Sequence, residues 1–289
     1  MKKNFIKTVI LLPIVLSFFC VAQGAMLSEK IPYYGEKFYE ELHGGAQDNG
    51  LLIRLKAVLK GYHTSRKGQL DEIGASCTGN CYIHTSIGYR GARYFLLSDF
   101  YLIKMPNGYG VHDVYCHRDV TPEDFKRGNG AGPNRLPDDT VVNVEHTWPQ
   151  SKFTGRHPID TQKSDLHHLF PTNSKTNSIR GNNPFGEVER DLQDLDCKNV
   201  RTGYASGGRE EIFEPPQEHK GNVARALFYF ATRYDMQIDS QQEVFLKKWH
   251  KEDPVDETEQ IRNQRIFELQ NVRNPFIDYP DLVDKVENF

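Results

Sequence analysis

Leu51, Leu52, Leu55 and Leu59 recur at helical spacing and Gly61 follows them, so the pattern predicts an amphipathic helix after the turn region 44–50. Tyr109, Val111, Asp113 and Tyr115 alternate with Gly110, His112, Val114 and Cys116, which predicts a strand carrying Cys116. Gly, Asn, Pro and Asp crowd 127–139, a loop that delivers the chain to a strand over Thr140 to Glu145. A second strand is predicted over Asp165 to Phe170. Pro171 then stands at or before the start of a short helix through Thr172, Lys175, Thr176 and Arg180. Region 203–216 reads as a surface loop. Asn222 reads as the cap of a helix whose broad apolar face (Val223, Ala224, Leu227, Phe228, Phe230, Ala231, Tyr234) implies burial. Val244, Leu246 and Trp249 begin a further helix that stops before Pro254, and Glu257 to Leu269 reads as another. Helices and short strands alternate without repeats or a low-complexity linker, which predicts an α+β fold in one domain.

The first residues change the picture of where the chain works. Lys2, Lys3 and Lys7 precede or flank an apolar run from Val9 to Phe19, and small residues follow at Ala22, Gly24 and Ala25, the pattern of a signal peptide over 1–24. That run is too short for a permanent span, which takes about 20 residues. Cys20 lacks the preceding small residue of a lipid-anchoring site, so no membrane anchor is expected. The expected location is the periplasm or the outside of the cell. Cys77, Cys81, Cys116 and Cys197 remain, an even set in a compartment that permits disulfides, with three possible pairings. A zinc site built on Cys77 and Cys81 is the competing reading, but no second close pair completes it.

The whole sequence carries 36 basic and 39 acidic residues; without the three early lysines the balance is 33 against 39, a net of about −6. A general basic coat for nucleic acid is therefore excluded, and a polyanion would need a local patch. Lys152, Arg156, Lys163, Lys175, Arg180 and Arg190 supply one candidate, against Asp160, Asp165, Glu187 and Glu189.

The chemistry concentrates in two stretches, 143–151 (Asn-Val-Glu-His-Thr-Trp-Pro-Gln-Ser) and 164–177, which opens Ser-Asp-Leu-His-His-Leu-Phe-Pro. Val141, Val142 and Val144 favour a strand that Pro149 cannot continue, so Glu145 and His146 fall at its end. Neighbouring side chains on a regular strand face opposite ways, so a joint site needs the strand terminus. A carboxylate, an amide and waters suit Mg²⁺, and a neutral imidazole beside them suits a general base. Phosphodiester hydrolysis follows from that combination.

These stretches, with Arg180, Asn183-Pro184-Phe185-Gly186-Glu187, Asp113-Val114-Tyr115-Cys116 and Arg273-Asn274-Pro275-Phe276-Ile277-Asp278, resemble the bacterial endonuclease I family of periplasmic and secreted nonspecific nucleases. The resemblance covers most of 25–289. It implies a ββα-metal (His-Me finger) core of two antiparallel strands and a helix at about 140–185, within a largely helical nuclease domain. It further implies Glu145 and Asn177 as ligands of one Mg²⁺, with Mn²⁺ or Ca²⁺ able to substitute in binding, and His146 as general base. Asn173 is the substitute for Asn177. An arginine holds the scissile phosphate in this family, and Arg156 and Arg180 are both candidates. Gly181 replaces a serine common in the family and is expected to loosen the helix end. DNA and RNA are the implied substrates, 5′-phosphate ends the implied products, and a monomer the expected state.

Blander readings stand beside these. His167 and His168, on a strand, would point to opposite faces and serve as structural or supporting residues; Asp165 fits a strand-end cap as well as a ligand. Trp148 reads as core. Arg265 and Arg273 read as a solvated helix face, with a phosphate contact as the alternative. A metal phosphoesterase acting on small nucleotides and a secreted binding protein with a structural zinc are the rival functions.

Overall fold

The computed structural model describes residues 30–126 and 128–289. The expected signal peptide and Cys20 lie outside the described residues, and Ile31–Phe289 pack as one unit. In chain order come helices α1 (Gly35–His43) and α2 (Asp48–Lys60), a hairpin of β1 (Tyr62–Thr64) and β2 (Glu72–Gly74), and helix α3 (Gly88–Phe95), prolonged by one π turn over Leu96–Phe100. An antiparallel meander follows, β3 (Leu102–Met105), β4 (Gly108–Asp113) and β5 (Arg118–Val120). Strand β6 (Val142–His146), helix α4 (Ile159–Ser164), strand β7 (Leu169–Asn173) and helix α5 (Ser174–Arg180) carry the two chemical stretches. A second small sheet, β8 (Arg190–Asp191), β9 (Arg201–Tyr204) and β10 (Glu211–Glu214), leads to helices α6 (Lys220–Tyr234), α7 (Ser240–Glu252), α8 (Glu257–Gln270) and α9 (Pro275–Asp278). This is a mixed α+β architecture with small antiparallel sheets. No helix among the described residues is long and apolar enough to cross a membrane.

Helix α6 is the axis of the larger core. Every residue of it except Asn222 is buried, as its broad apolar face demands. Its polar side chains are paired where they are buried: Arg225 holds Glu259, and the Tyr229 and Tyr234 hydroxyls donate to Asp165 Oδ2, each at 2.8 Å. A second cluster, including Phe95, Leu96, Val111, Val142, Val144 and Leu169, fills the space between α3, the meander and the β6–β7 pair. Trp148 is core as expected, its ring stacked 5.4 Å from that of Phe230.

Several expected boundaries move. The strand expected to carry Cys116 ends at Asp113, because the Asp113 carboxylate turns the chain by accepting from the Tyr115 and Cys116 amides at 2.9 and 3.2 Å. The second strand begins at Leu169 rather than Asp165; residues Leu166–His168 form a 3₁₀ turn capped by Asp165, which accepts from the His167 amide at 3.1 Å. His167 and His168 are therefore not alternating strand residues. Pro171 lies inside β7 opposite Val144, and the helix starts three residues later with Asn173 as its cap. The region 203–216 is not all loop, since β9 and β10 pair there from Arg201–Glu214 to Tyr204–Glu211. Helix α6 begins at Lys220, so Asn222 is inside it rather than its cap. Arg273 is buried rather than solvated, forked onto Asp278 at 2.7 and 2.8 Å. The cysteines pair as Cys77–Cys81 and Cys116–Cys197.

Candidate active site

Strands β6 and β7 run antiparallel with Val142 opposite Asn173 and His146 opposite Leu169, and α5 follows β7 directly. Two strands and a helix thus come from one local stretch of chain. Glu145 and His146 are the last two paired residues of β6, after which the Thr147 amide bonds the His168 carbonyl and the chain turns through Pro149. Placement at the strand end lets neighbouring side chains reach one cleft. That cleft, about 650 Å³, is lined by Glu145, His146 and Asn177, with Asn143, Gln150 and Ser151 among the others.

Glu145 is 2% exposed. Its Oε1 accepts from the Tyr115 hydroxyl at 2.9 Å and forms an ion pair with Arg180 Nη1 at 2.8 Å. Both contacts fall on one oxygen, so Oε2 carries neither. Burial pushes the carboxyl up from its ordinary range, and Arg180 and Tyr115 oppose that rise. The turn set by Asp113 is what brings Tyr115 beneath β6.

His146 is fixed by its ring nitrogens. Nε2 lies 3.1 Å from the Lys163 carbonyl, which can only accept, so Nε2 holds the proton and Nδ1 the lone pair. Gln150 reaches Nδ1 from the cleft wall at 3.4 Å. Burial, with the neighbouring His168, drives the ring down to about 3, which keeps it neutral. Behind it His168 Nε2 bonds the Gln162 carbonyl at 2.8 Å and His167 Nε2 the Val272 carbonyl at 3.1 Å, so both brace the turn.

Asn177 donates from Nδ2 to Asn143 Oδ1 at 2.8 Å, and Asn143 in turn donates to Ser174 Oγ at 3.1 Å. That chain of amides fixes which way Asn177 faces and leaves its Oδ1 as an acceptor. Asn173 is occupied otherwise, its Oδ1 capping α5 at the Thr176 amide, 3.0 Å away. Helix α5 ends cleanly: Gly181 takes φ +58°, a conformation glycine adopts without strain, and its amide closes on Asn177.

The two candidate arginines part company. Arg180 is 2% exposed, and besides Glu145 it donates to the His146 and Thr147 carbonyls at 3.1 and 2.8 Å. It lies beneath the cleft as a brace. Arg156 is exposed on the loop after β6 and does not line the cleft. Arg93 and Tyr89 of α3 do line it, and the motif-based reading passed over both because they lie about fifty residues upstream. The Tyr115 contact had a trace in the Asp113-Val114-Tyr115-Cys116 motif, but nothing in the sequence pointed it at Glu145.

The donor set fits a small hard cation: a carboxylate with an uncommitted oxygen, an oriented amide oxygen, and room for waters. Cys77 and Cys81, on which the rival zinc reading was built, are joined in a disulfide. Among the described residues the one group of three His, Cys, Asp or Glu donors within reach of each other is Asp113, Cys116 and Cys197, and its cysteines are spent on a disulfide.

Comparison with known proteins places this geometry in context. The family model described as Endonuclease I matches residues 79–281. An extracellular ribonuclease of Bacillus subtilis (strain 168) is 34% identical over 169 residues, 50% of this chain and 53% of that protein. A periplasmic deoxyribonuclease of Aeromonas hydrophila is 29% identical over 121 residues, 42% and 49% of the two chains. An Endonuclease-1 of Buchnera aphidicola subsp. Acyrthosiphon pisum is 27% identical over 115 residues, 40% and 44%. The chain spans about half the length of the curated relatives it matches.

Proposed function

Because this chain belongs to the endonuclease I family, we propose that it is an exported, Mg²⁺-dependent endonuclease that hydrolyses phosphodiester bonds of DNA and RNA to 5′-phosphate ends. The observation that carries the reading is the convergence of Glu145, His146 and Asn177 on one cleft from β6 and α5. We assign β6, β7 and α5 as a ββα-metal core within a single nuclease domain. Glu145 Oε2 and Asn177 Oδ1 would hold the ion, which when bound supplies positive charge against the phosphate and the leaving oxygen. His146 takes the proton of the attacking water at Nδ1, while the Lys163 carbonyl holds the Nε2 proton and the ring in place. Arg180 acts through Glu145 and the β6 terminus, fixing the carboxylate rather than touching substrate. Arg156, exposed on the loop after β6, is the other arginine the family resemblance offers for a phosphate contact.

A polymer is favoured over a small nucleotide because the cleft rim is solvent-exposed at Asp139, Gln150, Ser151 and Asn182. The matched relatives carry both ribonuclease and deoxyribonuclease names, which supports a site that reads backbone more than base. Their extracellular and periplasmic descriptions support export. Plasmid DNA and RNA are to be digested with Mg²⁺, with EDTA, and with the His146→Ala variant. Cleavage is expected only with Mg²⁺, and the variant should lose about 10²- to 10⁴-fold in kcat. Wild-type digestion rates by the folded variant would overturn the general-base role, and digestion undiminished by EDTA the metal.

A further inference from the structure

The exposed side of α3 carries a second groove that the catalytic motif does not account for. It holds about 440 Å³ and runs against the catalytic cleft, sharing Tyr89 and Arg93 with it. Arg90, Tyr94, Asn134 and Arg135 also line it, and among the described residues that line the groove there is no carboxylate. In a chain of net negative charge, three guanidinium groups lining one groove are a local feature rather than an average property.

The pattern follows from helical spacing. Tyr89 and Arg93 stand one turn apart, as do Arg90 and Tyr94, so two aromatic–cationic pairs lie side by side while Ala92 and Phe95 turn into the core. Arg90 is exposed, its guanidinium 5.7 Å from the Tyr94 ring centre. Arg135 is anchored by one nitrogen to the Ala131 carbonyl at 2.6 Å, which sets its direction and leaves its other donors over. Arg93 leans on Asp139 at 3.6 Å, a partner that is 65% exposed at the mouth of the catalytic cleft. At that length, with the carboxylate in solvent, the pair holds little, so an anion can replace Asp139.

Resting on the nuclease reading, we propose that this groove is a polynucleotide-binding extension of the active site. Arg90, Arg93 and Arg135 take the backbone phosphates that flank the scissile bond, and Tyr89 and Tyr94 offer faces on which bases stack. Guanidinium forks match phosphate oxygens in pairs, and tyrosine stacking tolerates any base, so the groove contributes affinity and reach without sequence preference.

The test measures binding of a fluorescein-labelled 30-nucleotide DNA by anisotropy in EDTA, across a salt series, for the wild type, Arg90→Ala/Arg135→Ala, Arg90→Glu and Lys198→Ala. The double variant should weaken binding about tenfold or more and lower the slope of log affinity against log salt by roughly 1.4, at about 0.7 per lost phosphate contact on a single strand. Arg90→Glu, at a fully exposed position where folding is not at issue, should do at least half of this. Lys198, exposed and remote in sequence, serves as the control and should change neither quantity. In Mg²⁺, the ratio of kcat/KM on the 30-mer to that on bis(4-nitrophenyl) phosphate should fall about tenfold in the double variant. Affinity, salt slope and ratio all matching the control in an active enzyme would overturn the groove alone. A wild type that neither binds nor cuts DNA would overturn the nuclease reading and the groove with it.

Discussion

Two buried arginine–glutamate pairs in this molecule look alike by exposure and differ in what is left over. Between α6 and α8, Arg225 grips Glu259 with Nε on Oε1 at 2.9 Å and Nη2 on Oε2, so both carboxylate oxygens are used. Beneath the cleft, Arg180 Nη1 pairs with Glu145 Oε1 at 2.8 Å, and the Tyr115 hydroxyl donates to the same oxygen. Both arginines also hold backbone carbonyls, Asp253 for one and His146 and Thr147 for the other. Burial raises both carboxyls and the partner arginine opposes it in each. The saturated pair can only join two helices. The half-saturated pair leaves an oriented carboxylate oxygen without a hydrogen bond at a cleft, the arrangement proposed above to hold a cation.

The sharpest way to break this contrast is to truncate each glutamate. Glu145→Ala is expected to lower kcat/KM on the order of a thousandfold, the several kcal/mol that a bound cation contributes. Glu259→Ala should instead cost about 3–5 kcal/mol of stability, from leaving Arg225 buried and unpaired, and keep kcat/KM within about threefold at a temperature where it stays folded. Urea unfolding and steady-state kinetics on both variants decide it; equal loss of turnover would erase the distinction.

The disulfides sharpen it at the next scale. Cys116 follows Tyr115, and Cys197 touches Thr176 of α5, so this bridge ties the arm beneath Glu145 to the helix that carries Asn177. Closing 81 residues, it should contribute about 4.5 kcal/mol, against about 2 kcal/mol for Cys77–Cys81, which closes 4. Cys116→Ala/Cys197→Ala should lower both Tm and activity, while Cys77→Ser/Cys81→Ser should lower Tm less and spare activity.

A pH effect is common to both regions. Burial pushes His168, behind the cleft, and His250, beside Arg225, down to about 4 each. The folded protein keeps these rings neutral while the unfolded chain protonates them near pH 6.5, so stability falls as pH drops from about 6.5 toward 4. Each contributes up to about 1.4 kcal/mol per pH unit in that window. Denaturant midpoints at pH 7.5, 5.5 and 4.5 should decline, and His250→Gln should flatten the decline by one histidine's share. A stability that rises on acidification would show the rings to be charged in the folded state.

Legibility followed how local each feature is. Helices α2, α7 and α8 were readable because apolar spacing and their end signals lie within the segment itself. The β6 terminus was readable for the same reason, with three valines before it and Pro149 after it. The β7 start was misplaced because Asp165 caps a 3₁₀ turn whose anchor, Tyr229 and Tyr234, is some sixty residues further on. The β9–β10 pair was missed because Gly203 and the charged residues around it look like loop until Phe213 is seen to be buried. Arg273 looked solvated because its partner Asp278 is legible only once α9 folds back.

By itself the sequence determined the chemical vocabulary: a carboxylate beside an imidazole at a strand end, an asparagine on the following helix, an even cysteine set, and membership in a nuclease family. These are matters of residue type and short spacing, which a chain states directly. Only the tertiary structure decided that Arg180 is a brace and not an open hand, which oxygen of Glu145 is spoken for, which cysteines meet, and that α3 brings Tyr89 and Arg93 to the cleft and Arg90 to the groove beside it. The physical reason is the same throughout. A side chain's function depends on which of its atoms are already hydrogen-bonded and which remain exposed, and those partners come from parts of the chain too distant for any local pattern to record.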